Sequence, residues 1–174
     1  MSFSRRIFLY AAALMLSLTT TPVWAEAMSE MSLKAALLYK FAQFTDWPPP
    51  SPPQYRLCVL GKDLFEGALN AWQQRKLQGN PVVVGYPSSL NEAKNCQVLF
   101  LNPANPNQLS QWVAGLKGLP ILTISDQADA WNEGVMIALF TDSNRITFKI
   151  DTQVARQVGI SFRATMLQVA QEVR

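Results

Sequence analysis

The chain has 174 residues, a formal net charge of +3, 49% apolar and 16% charged residues, and a mean hydropathy of +0.05, the profile of a folded domain with one core. It contains no histidine and two cysteines, which excludes Ser-His-Asp and Cys-His nucleophile systems, His-ligated zinc or iron and four-thiolate metal sites. Lysine and arginine form no clustered basic face, so no nucleic-acid partner is expected.

The amino-terminal stretch differs from the rest. Arg5 and Arg6 precede an apolar run over residues 7–18, and Val23-Trp24-Ala25 has the small-residue ending of a cleavage site. This pattern predicts a secretory signal peptide over residues 1–25, cleaved after Ala25, leaving residues 26–174 as one periplasmic domain. The run is shorter than the roughly 20 residues that a membrane-spanning helix needs. No cysteine follows it, so a lipoprotein is not expected, and removal of the two arginines lowers the net charge to +1.

Export changes the meaning of the cysteines. In an oxidising compartment a pair of thiols in a small domain is expected to be a disulfide, here Cys58 to Cys96; two buried free thiols are the alternative. On a chain-entropy model, closing a loop of this length contributes about 4 kcal/mol.

Taken in chain order, Leu33, Leu37, Phe41 and Phe44, with Ala36 beside them, predict an amphipathic helix over 29–44 entered through Ser29 or Ser32. The proline-rich run 47–53 predicts a stiff extended connector. Next come a strand at 56–60, a helix at 63–74, a strand at 81–86, a short helix at 88–95, a strand at 98–101, a helix at 107–116 and a strand at 121–124. Apolar strands alternating with helices indicate an α/β fold: a single three-layer domain whose mostly parallel central sheet is flanked by helices. Residues 135–140 and 145–150 flank a polar turn and predict an antiparallel hairpin near the C-terminus. Asp151 is expected to cap a helix that Gly159 stops, and a final helix from about Arg163 is expected to present Met166, Leu167, Val169, Ala170 and Val173 as an apolar face.

Candidate chemical sites are sparse. Gly61-Lys62-Asp63 follows the first strand but lacks the spaced glycines of a phosphate loop, and a turn with a helix cap is the expectation. The third strand ends in Asn102, where a phospho-acceptor domain would need acid. Asp126, Asp129 and Glu133 suit a hard cation by ligand type, but the first turn of a capped short helix is the expectation, and no metal site is assigned. Arg156 and Arg163 are candidates to hold an anionic ligand, solvated helix-face arginines being the alternative. Ser125 and Ser161 have no base. No catalytic site and no cofactor are expected.

The segments 40–48, 57–61, 95–100, 120–126, 134–137, 145–151 and 155–160, taken in order, resemble the periplasmic YfiR family. Cys58 and Cys96 fall where that family places a structural disulfide. The resemblance implies a regulator rather than an enzyme: a homodimeric periplasmic repressor that binds the sensor portion of an inner-membrane diguanylate cyclase of the YfiN type. Such a repressor lowers cyclic di-GMP, exopolysaccharide production and biofilm formation, and an outer-membrane lipoprotein of the YfiB type can sequester it. The positions implied for the partner surface are Trp47, Ile137, Lys149, Ala155 and Gln168, of which Trp47 and Ile137 also suit a core. Two departures stand out. Ala138 falls where some members continue a second cysteine pair, and Ser161 where some carry a basic residue, leaving Arg163 to carry any ligand pocket there. A periplasmic small-ligand sensor serving another membrane receptor, such as a histidine kinase, is the competing expectation.

Overall fold

The computed structural model describes residues 29–142 and 145–174; the expected signal peptide and residues 143 and 144 of the hairpin turn lie outside the described residues. The chain opens with helix α1 (Glu30–Gln43). Ser29 caps it by accepting from the Ser32 amide at 3.1 Å, which satisfies one of the donors that a helix start leaves free. Its buried residues are Lys34, Ala35, Leu38, Tyr39, Phe41 and Ala42. That arc is turned from the predicted one: Ala36 is exposed, and Leu33 and Leu37 are half-buried. The helix is gripped between the sheet and the segment containing Phe65, Leu69 and Trp72, so two neighbours, not one, set its buried face.

Strand β1 (Thr45–Asp46) leads through the proline run to β2 (Tyr55–Gly61), then a 3-10 helix (Ala68–Trp72), β3 (Lys76–Leu77), β4 (Asn80–Gly85), helix α2 (Leu90–Ala93), β5 (Val98–Asn102), helix α3 (Asn107–Leu116) and β6 (Leu122–Ser125). The hairpin strands are β7 (Ile137–Asp142) and β8 (Arg145–Ile150); helix α4 (Thr152–Gln157), β9 (Ser161–Phe162), helix α5 (Ala164–Leu167) and β10 (Glu172–Val173) complete the chain. Eight strands form one sheet in the order β10-β8-β7-β6-β5-β2-β4-β3. Pairing is parallel from β4 through β2, β5 and β6 to β7, and antiparallel in the β7–β8 hairpin from Ile137 opposite Ile150 to Asp142 opposite Arg145. Strands β1 and β9 pair separately, antiparallel.

The alternation of side chains along the strands divides the core in two. On one face Leu57, Val59, Phe100, Ile124, Ile137 and Leu139 pack with α1, the 3-10 helix and Ala155 of α4. On the other, Cys58, Leu60, Leu99, Leu101 and Ala138 pack with Ala93, Leu109 and Leu116 of α2 and α3, and with Ala130 and Val135. The predicted three-layer α/β architecture is therefore the observed one.

Two predicted helices are corrected. Residues 63–74 do not form one continuous helix: Asp63 accepts from the Phe65 amide to close a turn, Glu66 and Gly67 both take positive φ, and the 3-10 helix alone remains. The final helix stops at Leu167. After it the chain becomes an edge strand, because Gln171 donates to the Phe148 carbonyl at 2.8 Å and Arg174 to the Ile150 carbonyl at 3.1 Å. Pairing with β8 outweighs the helical spacing of Val169 and Val173, which are left 70% and 42% exposed.

Candidate functional site

Doubly wound sheets keep ligands outside the carboxyl ends of strands whose connections leave on opposite faces. Here those strands are β2, which exits to the 3-10 helix, and β5, which exits to α3. The crevice between them is filled by the protein itself. Gly61, at φ +100°, lies so close to the Asn102 carbonyl that a Cβ would stand 2.1 Å from its oxygen. The Lys62 amide donates to the Asn102 carbonyl at 2.9 Å. The Asn102 side-chain amide donates to the Lys62 carbonyl at 2.7 Å, while its oxygen accepts from the Gln127 amide at 2.8 Å. The Ser125 hydroxyl donates to the Leu101 carbonyl at 2.7 Å, so it is a strand-end tie and no nucleophile.

Beside this plug lies a buried ion cluster. Lys34, only 4% exposed, reaches Asp126 at 2.6 Å and Glu30 at 2.8 Å. Burial pushes the ammonium's pKa down, but its hydrogen bonds and charge pairing with Asp126 and Glu30 outweigh that and raise it. Hydrogen bonds from Lys34 and from Thr141 hold the Glu30 carboxyl below its ordinary value. Asp126 is thus committed to Lys34, and the segment holding Asp129 and Glu133 is a run of turns instead of a regular helix. Among the described residues no three His, Cys, Asp or Glu side chains gather as a metal site.

The C-terminal edge is arranged differently. Lys149 pairs with Glu172 at 2.6 Å, and its ammonium lies 5.4 Å from the Phe140 ring centroid and 5.5 Å from that of Trp131, within the range of a cation–π contact. Arg174 covers the Trp131 ring at 3.9 Å, donates to the Trp131 carbonyl at 2.8 Å and pairs with Asp151 at 2.7 Å. The other Asp151 oxygen caps α4 by accepting from Gln153 and Val154, each at 3.0 Å, as its position predicts. Gln168 and Val169 stand exposed after α5. Of the residues that the resemblance singled out, Lys149 and Gln168 therefore belong to this edge.

The other predicted positions are dispersed. Ile137 and Ala155 have no exposure, so they can act on a partner only by supporting the backbone above them. Trp47 is half-buried against the Tyr55 ring, centroids 5.2 Å apart, with its indole N–H enclosed and without an acceptor among the described residues. Its neighbour Pro48 lies against Gly159 at the end of α4. Arg163 is exposed and pairs with Asp46 at 3.3 Å across β1 and β9, and Arg156 is exposed on α4; these two arginines line no shared pocket among those described. Sequence reasoning missed Trp131, Asp151 as an ion-pair partner, Glu172 and Arg174. Nothing in their spacing marks them, because β8–β10 pairing and the fold of the 128–134 turns, tied by Arg174 to the Trp131 carbonyl, bring residues 131, 149, 151 and 174 together.

The disulfide is formed between Cys58 in β2 and Cys96 just before β5, with Cα atoms 6.1 Å apart and both residues buried. No helix among the described residues is long and apolar enough to cross a membrane.

These features define a disulfide-tied α/β domain. Residues 31–171 match the YfiR/HmsC-like family, and the chain belongs to that family. The family is regulatory rather than catalytic, with a periplasmic role linked to cyclic di-GMP signalling that implies a protein partner. Among solved structures the chain is similar to a conserved domain protein from Vibrio cholerae O1 biovar El Tor, with a TM-score of 0.59 at 10% identity over 84% of this chain and 60% of that one. It is also similar to the ABC domain in complex with L-Trp from Streptococcus pneumonia, with a TM-score of 0.55 at 10% identity over 83% of this chain and 60% of that one. The chain thus spans about 60% of the length of both structures, and at this identity the likeness is one of fold.

Proposed function

We propose that this protein is a periplasmic repressor that binds the sensor portion of an inner-membrane diguanylate cyclase of the YfiN type and holds down cyclic di-GMP synthesis. The observation that carries the reading is the C-terminal edge. Two of the three exposed large hydrophobic residues among the described ones, Val169 and Val173, stand there, next to Gln168 and to Lys149 over Trp131. Exposed apolar groups rimmed by polar ones are what a protein partner covers. The Lys62–Asn102–Gln127 ties across the crevice between β2 and β5 fit this reading, because those polar groups are already satisfied inside the protein. In this reading Lys149 and Gln168 face the receptor, Ile137 and Ala155 shape the surface from beneath, and Trp47, half-buried against Tyr55, offers a contact away from that edge. Repression follows if the edge binds the inactive receptor more tightly than the active one, since only differential affinity shifts a two-state equilibrium. A homodimer presents this edge twice, and an outer-membrane lipoprotein of the YfiB type relieves repression by competing for it.

The test is cellular cyclic di-GMP, with surface attachment, after deleting the gene and restoring it as wild type, Val169→Glu or Lys149→Glu. A rise on deletion that wild type reverses and the two folded variants do not is the expected result. An unchanged level on deletion overturns the reading.

A further inference from the structure

Of the clefts among the described residues, the most apolar lies at the opposite end of the sheet from the plugged crevice. It is a cleft of ≈ 320 Å³ at the amino-terminal end of β6, where α3 and α4, packed on opposite faces, diverge. This volume is at the small end of the range that holds drug-sized ligands, roughly 300–1,000 Å³. Leu116, Ile121, Met136, Val154 and Val158 form aliphatic walls, and no aromatic ring and no carboxylate lines it.

Its polar groups are few and uncommitted. Thr123 is 5% exposed, and its oxygen accepts from the Met136 amide at 3.1 Å, but its hydroxyl proton has no acceptor among the described residues. The Gln157 amide and the Lys117 ammonium, at the mouth, have no side-chain partner among the described residues. A buried hydroxyl with a spare proton is at its best when something in the cavity accepts it. Aliphatic walls, three donors and a single positive charge define an anion with a saturated tail. An aromatic ligand would find no ring to stack on, and a cation would meet Lys117.

We propose that this cleft binds a medium-chain aliphatic carboxylate, its tail against Leu116, Met136, Val154 and Val158 and its oxygens served by Thr123, Gln157 and Lys117. The inference does not depend on the repressor reading, because it concerns a different end of the molecule and is tested on the protein alone.

The experiment is calorimetric titration of the purified, disulfide-bonded protein with decanoate below its micellar concentration. Saturable one-to-one binding in the micromolar to millimolar range is expected. Decylamine, with the same tail and the opposite charge, is expected to bind at least about tenfold more weakly, and Lys117→Glu to weaken decanoate by about tenfold. Ala114→Trp, at an exposed α3 position on the rim, is expected to abolish binding, and Arg163→Ala, outside the cleft, to leave it unchanged. Circular dichroism confirms that each variant is folded. Absence of saturable decanoate binding by wild type, equal binding of decanoate and decylamine, or binding that survives both cleft substitutions overturns the proposal.

Discussion

The carboxyl ends of β2, β5 and β6 and the C-terminal edge of β8 are both rich in polar side chains, yet they are built to opposite ends. At the strand ends the buried donors meet acceptors inside the protein: Asn102 donates to the Lys62 carbonyl, the Gln127 side chain to Asn102, Ser125 to the Leu101 carbonyl and Lys34 to Asp126. At the C-terminal edge the cations Lys149 and Arg174 lie over aromatic faces and two apolar side chains, Val169 and Val173, face water. Polar groups satisfied internally lend stability and have little left to offer a ligand, whereas an edge with exposed apolar groups gains from being covered. A shared topology therefore does not by itself say which surface works, and the function has to be argued from the surface itself.

Substitutions at five positions and one chemical treatment separate the two regions. The largest effect belongs to the disulfide, which ties β2 to the start of β5 across the plugged half and closes a loop of 38 residues. Reduction is expected to cost about 4 kcal/mol on the chain-entropy model, read as a lower urea midpoint with and without reductant. Next comes Lys34→Met, which strands Asp126 without its buried partner and is expected to cost about 3 kcal/mol; the double variant Lys34→Met, Asp126→Leu recovers part of that loss. If the double variant is no better than the single one, the cluster acts through packing and not through charge.

Gly61→Ala places a Cβ against the Asn102 carbonyl at a positive φ, for an expected loss of about 2 kcal/mol in the same titration. Val169→Glu, on the open edge, is expected to change stability by less than about 0.5 kcal/mol while removing repression in cells, which is the sharpest contrast between the two regions. The smallest effect is electrostatic. Because hydrogen bonding to Lys34 and Thr141 lowers the Glu30 pKa below 4.5, its contribution is present above the unfolded value and is lost as pH falls through the folded one. Glu30 is substantially exposed, so Glu30→Gln is expected to lower stability by no more than about 0.5 kcal/mol at pH 7. The difference from wild type should vanish in thermal melts at acidic pH.

Much of the fold is legible in the residues alone. The Ser29 and Asp151 caps, α3, the central strands, the hairpin and the stop at Gly159 all follow from local chemistry: a short polar side chain before an apolar periodic run, a continuous apolar stretch, a glycine at positive φ. The cysteine pairing follows from compartment and count. The helix expected over 63–74 fails because a turn closed by Asp63 and positive φ at Glu66 and Gly67 break it, and the buried arc of α1 is turned because two neighbours enclose it.

What the sequence determined by itself was what is local: where elements begin and end, which strands are buried on both faces, and which catalytic chemistries the missing histidine removes. The tertiary structure decided what depends on residues far apart in the chain. Periodicity predicts a helix through Val169 and Val173, but the free edge of β8 captures residues 171–174 as a strand, because unpaired strand groups gain more from a ladder than a short helix gains from its own bonds. The same pairing brings Arg174 beside Lys149 and Asp151, and the 128–134 turns bring Trp131 under it. The sealing of the crevice by Lys62, Asn102 and Gln127, and the opening of the apolar cleft at the other end of β6, likewise follow from how layers pack, a property that no segment carries alone.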